Sequence, residues 1–101
     1  MKMIMLFCCL GLSLISASAF GADADAGRRL AQQRCSPCHI VAPNQRQEIA
    51  DAPPFEVIGR KFGFNPDSLV VNLTGPHAKM NFSLRRTDAD DIAAYIGTLA
   101  R

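Results

Sequence analysis

Residues 35–39 read Cys-Ser-Pro-Cys-His, a C-x-x-C-H run. The spacing suits one chemistry. Each thiol adds across one vinyl group of a porphyrin to form a thioether, and the adjacent imidazole reaches the metal from one face. This is the attachment signature of c-type haem, with His39 as the fixed proximal ligand. A pattern this short also arises by chance, so the remaining residues must supply what such a site needs.

Few other groups compete for the chemistry. Lys2, the apolar stretch 3–15 and Ala17-Ser18-Ala19 form the n-region, h-region and A-x-A site of a secretory signal. Cleavage is expected before Phe20, with Ala22-Asp23-Ala24 a second possible site. A membrane anchor is the competing reading, but the apolar stretch is shorter than the roughly 20 residues a span needs. Cys8 and Cys9 follow bulky Leu6 and Phe7 and read as ordinary h-region residues, not lipidation sites. Removing residues 1–19 leaves 82, in which Cys35 and Cys38 are the only cysteines, Met80 the only methionine, and His39 and His77 the only histidines. Residues 20–101 are expected to form one exported, periplasmic domain and a monomer. A core of this size commonly needs a staple, and a covalently held haem would be one.

A six-coordinate iron needs a ligand on the second face. Met80 lies 41 residues after His39 in a polar loop between Lys79 and Asn81. Its soft, neutral thioether favours ferrous iron, and His/Met ligation raises the reduction potential. A core methionine filling a gap is the bland alternative. His77 is the rival ligand, and five-coordinate iron is a third state. A ligating imidazole donates its other N–H to a carbonyl or carboxylate. The carbonyl of Pro53, in Ala52-Pro53-Pro54-Phe55, is placed in sequence to accept it. Lys79 becomes a ligand for ferric iron once it loses its proton, near its ordinary pKa of about 10.4.

The elements that must position these groups read as short helices divided by Pro and Gly. Asp25–Arg34 carries Gly27, Leu30 and Ala31 on one face and runs into the haem motif. Residues 40–53 are polar and irregular. Phe55, Ile58 and Phe62 mark a short helix that Gly63 ends. Asn65-Pro66 is a strong helix start, with Leu69, Val70 and Leu73 apolar and Gly75-Pro76 as the stop. After a loop from His77 to Arg86, Thr87 is the expected N-cap of a last helix with Ile92, Tyr95, Ile96 and Leu99 on one face. No segment alternates as a strand, so the expected class is all-α.

Together these features resemble the class I monohaem cytochromes c. The resemblance runs from about Asp25 to the C-terminus. It rests on Gly27 with Leu30, Cys35-Ser36-Pro37-Cys38-His39, Pro53, Met80 and the closing Ala93-Ala94-Tyr95-Ile96-Gly97-Thr98-Leu99. It implies the cytochrome c fold, with first and last helices crossing beside the haem, Gly27 permitting close approach, and Leu30, Tyr95 and Leu99 packing there. It also implies a soluble electron carrier. Asn81 stands where many relatives have proline. Tryptophan is absent and Tyr95 belongs to the helix crossing, so Arg60 or Lys61 is expected to contact a haem propionate.

The expected function is therefore one-electron transfer between redox proteins, a dehydrogenase, cytochrome complex or terminal oxidase or reductase, and not enzymatic catalysis. A haem enzyme or gas sensor with an open distal site is the alternative, and Met80 argues against it by filling that site. A thiol–disulfide oxidoreductase using Cys35 and Cys38 lacks the βαβ pattern such folds require. Without Lys2 the chain carries ten basic and nine acidic residues, so two propionates take its charge from about +1 to about −1. That balance marks neither a nucleic-acid binder nor a membrane binder. Arg60, Lys61, Lys79, Arg85 and Arg86 near the site read as a solvated surface before a docking face.

Overall fold

The computed structural model describes residues 21–45, 52–77 and 83–100. Four helices make up its regular structure: α1 Ala24–Arg34, α2 Phe55–Lys61, α3 Pro66–Thr74 and α4 Arg86–Gly97. Among the described residues there is no strand, and the all-α expectation holds.

Helix α1 starts where Asp23 caps it. The Asp23 carboxylate accepts from the N–H groups of Asp25 and Ala26 at 3.0 and 3.1 Å, satisfying two orphan donors of the first turn. Asp25 in the first turn and Arg34 in the last complement the helix dipole. Helix α3 begins as its sequence promises: Asn65 Oδ1 accepts from Ser68 N–H at 3.0 Å and Pro66 fills the first turn. Gly63, at φ 59°, supplies the left-handed turn that ends the α2 segment, and Phe64 follows at φ 52°. The Phe64 ring sits over Gly59, where a side chain would collide with it.

The start of α4 departs from expectation. The helix begins at Arg86 with Arg85 as N-cap, and no side chain caps it, so Thr87 lies inside the first turn. The reason is Asp88. Its carboxylate is buried and takes a bidentate contact from Arg85, Nε to Oδ2 at 3.1 Å and Nη2 to Oδ1 at 3.2 Å, with Arg34 of α1 at 3.9 Å. That pairing between the N-cap residue and the third residue of the helix outweighs the weaker preference of a threonine for the cap.

Helix α4 is the centre of the core, and α1, α2 and α3 all pack on it. Ile92 and Ile96 are fully buried, with Ala89, Ala93, Tyr95 and Leu99 beside them. Burying an isoleucine or leucine side chain stabilises by about 1.5–3 kcal/mol, so this stripe, with Leu69 and Val41, accounts for much of the driving force. The crossing of α1 and α4 is close at Gly27, where a Cβ would fall on the backbone of Asp91 and Ile92. Asp23 N–H donates to Asp91 Oδ1 at 2.8 Å and ties the start of α1 to the same stretch of α4.

Candidate functional site

The haem motif continues α1 as one further turn. Cys35 N–H bonds to Ala31 O at 2.9 Å, and His39 N–H bonds back to Cys35 O at 2.8 Å. This i to i+4 closure puts Cys35 and His39 on one side of the turn, and both line a single cavity. The other walls are Phe55 and Ile58 of α2, Leu69, Asn72 and Leu73 of α3, His77 and Leu84 of the flanking segments, and Ile96 of α4. The space enclosed, counting its open mouth, is about 450 Å³.

The imidazole of His39 is buried and oriented. Its Nδ1 donates to the carbonyl of Pro53 at 2.6 Å, which leaves Nε2 as the nitrogen able to bind a metal. A donated Nδ1–H fixes the tautomer and raises the basicity of the other nitrogen. Phe55 stands against the ring, with centroids 5.5 Å apart. The segment carrying the Pro53 carbonyl is held in place by neighbouring backbone pairs, Ala52 N–H to Cys38 O at 3.0 Å and Phe55 N–H to Ile40 O at 2.9 Å. Gln45 closes the other side, accepting from Val41 N–H and donating to His39 O. The Tyr95 hydroxyl donates to Val41 O at 2.6 Å, and burial pushes its own pKa up, so it stays a donor.

Neither Cys35 nor Cys38 is engaged in a disulfide. Burial pushes the Cys35 thiol up to about 11, with Arg34 opposing weakly. The donor set fits a haem on these grounds: an oriented imidazole and a thiol on one apolar wall, with a second thiol in the same turn. Zinc would require more ligands, and among the described residues no cluster of three or more His, Cys, Asp or Glu is assembled.

Of the residues singled out from the sequence, the structure brings Cys35, Cys38, His39 and Pro53 together. Arg60 is exposed on α2, and neither it nor Lys61 belongs to the residues lining the cavity. Met80, Lys79 and Asn81 lie outside the described residues, as do residues 1–20. Asn72 and Leu84 were not anticipated. Leu84 sits in a stretch with no periodicity, and Asn72 is a polar residue beside the apolar face of α3, so neither carries a local signal.

An apolar cavity walled by α2, α3 and α4, with an attachment turn opening directly from α1, defines a small c-type cytochrome. The chain is similar to cytochrome c-552 of Bradyrhizobium diazoefficiens, at 46% identity over 91 residues that cover 89% of this chain and 88% of the relative. No family model matches the chain, and no solved structure matches it. At that identity and coverage, the chain belongs to the class I c-type cytochromes, and its cofactor is a covalently attached haem with its iron. Among the described residues, no helix is long and apolar enough to cross a membrane.

Proposed function

We propose that this cytochrome is a periplasmic carrier of single electrons, exported by residues 1–19, with thioethers at Cys35 and Cys38 and His39 and Met80 as the axial ligands. Residues 20–101 form its one domain, a monomer that docks transiently with redox proteins. Bound haem supplies the one-electron ferric–ferrous couple. The chain sets the terms of that couple. Pro53 holds His39 in one tautomer and one orientation, so the proximal bond needs no reorganisation when charge changes. Phe55, Ile58, Leu69, Leu73, Leu84 and Ile96 exclude water from the walls, which lowers solvent reorganisation and raises the potential, because a dry site disfavours the more highly charged ferric state. The Met80 thioether adds to that preference and keeps the distal position filled. Arg60 would meet a propionate at the rim.

The observation that carries this reading is the 2.6 Å bond from His39 Nδ1 to the Pro53 carbonyl. It prepares a histidine for ligation in the cavity that also receives Cys35. The test uses protein matured in a periplasm. Acidified organic solvent should extract no pigment from the wild type and all of it from the Cys35→Ala, Cys38→Ala double variant. The ferric wild type should show a weak far-red charge-transfer band that Met80→Ala abolishes, together with a lower potential. Equal extraction from both proteins overturns the covalent assignment. An unchanged band and potential in Met80→Ala remove Met80 from the iron. Ready binding of carbon monoxide by the reduced wild type would favour an open-site haem enzyme or sensor instead.

A further inference from the structure

Besides His39, one other imidazole lines the haem cavity. His77 is half-buried there, and its ring centroid lies 6.0 Å from that of His39, at an interplanar angle of 52°. Two imidazoles bound on opposite sides of one metal, each nitrogen about 2 Å from it, place their ring centroids roughly 6 Å apart at any twist between the rings. The separation seen here is compatible with a shared metal.

The position of His77 is set by α3. That helix is anchored in the core through Leu69 and Val70, and its end is closed by Gly75 N–H donating to Val71 O at 3.1 Å. Gly75 then turns extended, at φ −74° and ψ 177°, and Pro76 stiffens the next step. His77 is thus delivered to the cavity by a fixed helix end, alongside Asn72 and Leu73 of the same helix.

We propose that His77 is a reserve axial ligand, an imidazole held within reach of the iron that takes the distal position when Met80 leaves it. This rests on Met80 being the resting ligand. The exchange breaks one iron–sulfur bond and forms one iron–nitrogen bond with the lone pair of the neutral imidazole, and the oxidation state of the metal does not change. Nitrogen lacks the preference of the thioether for ferrous iron, so the exchanged form is favoured in the ferric protein and has the lower potential. A carrier with this arrangement keeps its iron six-coordinate when the methionine is lost or oxidised to a sulfoxide.

Four ferric holoproteins decide it by spin state and azide affinity: wild type, His77→Ala, Met80→Ala, and the double variant. His77→Ala should keep the far-red band, which also shows that the variant folds. Met80→Ala should be low-spin without that band. The double variant should be high-spin and bind azide at least roughly tenfold more tightly than Met80→Ala, because a filled site weakens an incoming ligand by the fraction of iron left open. A high-spin Met80→Ala protein overturns the proposal. So does a double variant that stays low-spin, since a lysine or another group then holds the iron. The Met80 assignment fails separately, if the step from wild type to Met80→Ala leaves the far-red spectrum unchanged.

Discussion

Gly27→Ala tests the α1–α4 crossing directly. A Cβ on Gly27 would stand 1.9 Å from the Asp91 carbonyl oxygen, 2.4 Å from its carbon and 2.8 Å from Ile92 N. All three are backbone atoms within a helix, so no side-chain rotation relieves the overlap, and the two helices must separate by more than 1 Å. A gap of roughly 0.5–1 Å already forfeits a quarter to a half of the dispersion attraction of each pair it opens. The buried side chains along these helices include Ala31, Ile92, Tyr95 and Ile96. Overpacking costs about 1–3 kcal/mol where neighbours can adjust, and against rigid backbone the upper end, about 3 kcal/mol, applies. Alanine recovers about 1 kcal/mol over glycine in a helix, which leaves a net loss of about 2 kcal/mol. Urea unfolding of the ferric holoprotein, followed by visible absorbance and circular dichroism, should show a midpoint lowered by about 1 M for a slope of about 2 kcal/mol/M. Gly97→Ala is the internal control. It makes the same change near the end of α4, where a Cβ meets nothing within 4 Å, and should be neutral or stabilising by up to about 1 kcal/mol. A Gly27→Ala midpoint at or above that of the wild type would refute the close crossing.

Three further outcomes follow from the same contacts. Tyr95→Phe leaves the buried Val41 carbonyl without its 2.6 Å partner and should cost about 1–3 kcal/mol; a change within experimental error in the unfolding midpoint would count against the bond. Asp23→Ala removes the α1 cap and should cost about 1 kcal/mol, with a wild-type midpoint as the contrary result. The hydrogen bond from Arg85, helped by Arg34, holds the Asp88 carboxyl below the usual carboxylate range. Its folded pKa is thus lower than its unfolded one, and the stability it contributes is present above the ordinary aspartate value of about 3.9 and lost as pH falls through the folded pKa. Asp88→Asn should therefore show a shallower loss of stability than wild type over the acid range, and parallel curves would remove Asp88 from the acid transition.

The helices were legible because their signals are local. Asn65-Pro66 opens α3 and Gly75-Pro76 closes it through bonds within one turn, and the 3.6-residue period of Ile92, Tyr95, Ile96 and Leu99 marks a buried face whatever lies opposite. The C-x-x-C-H spacing is equally local, since one helical turn brings Cys35 beside His39. Competing side-chain pairs and contacts between separate elements were another matter. Thr87 looked like a cap because threonine often is one, yet the bidentate Arg85–Asp88 pair, with Arg34 of α1 close by, begins α4 two residues earlier. The helical phase of α2 turns Phe55 and Gly59 inward and leaves Arg60 exposed, outside the cavity wall. Amino-acid order by itself determined the chemistry and the helices, because attachment spacing, caps and periodicity act over a few residues. Only the tertiary structure decided that Gly27 meets the Asp91 backbone, that Asn72 and Leu84 wall the cavity and that His77 faces His39, because each depends on how separate helices pack on α4.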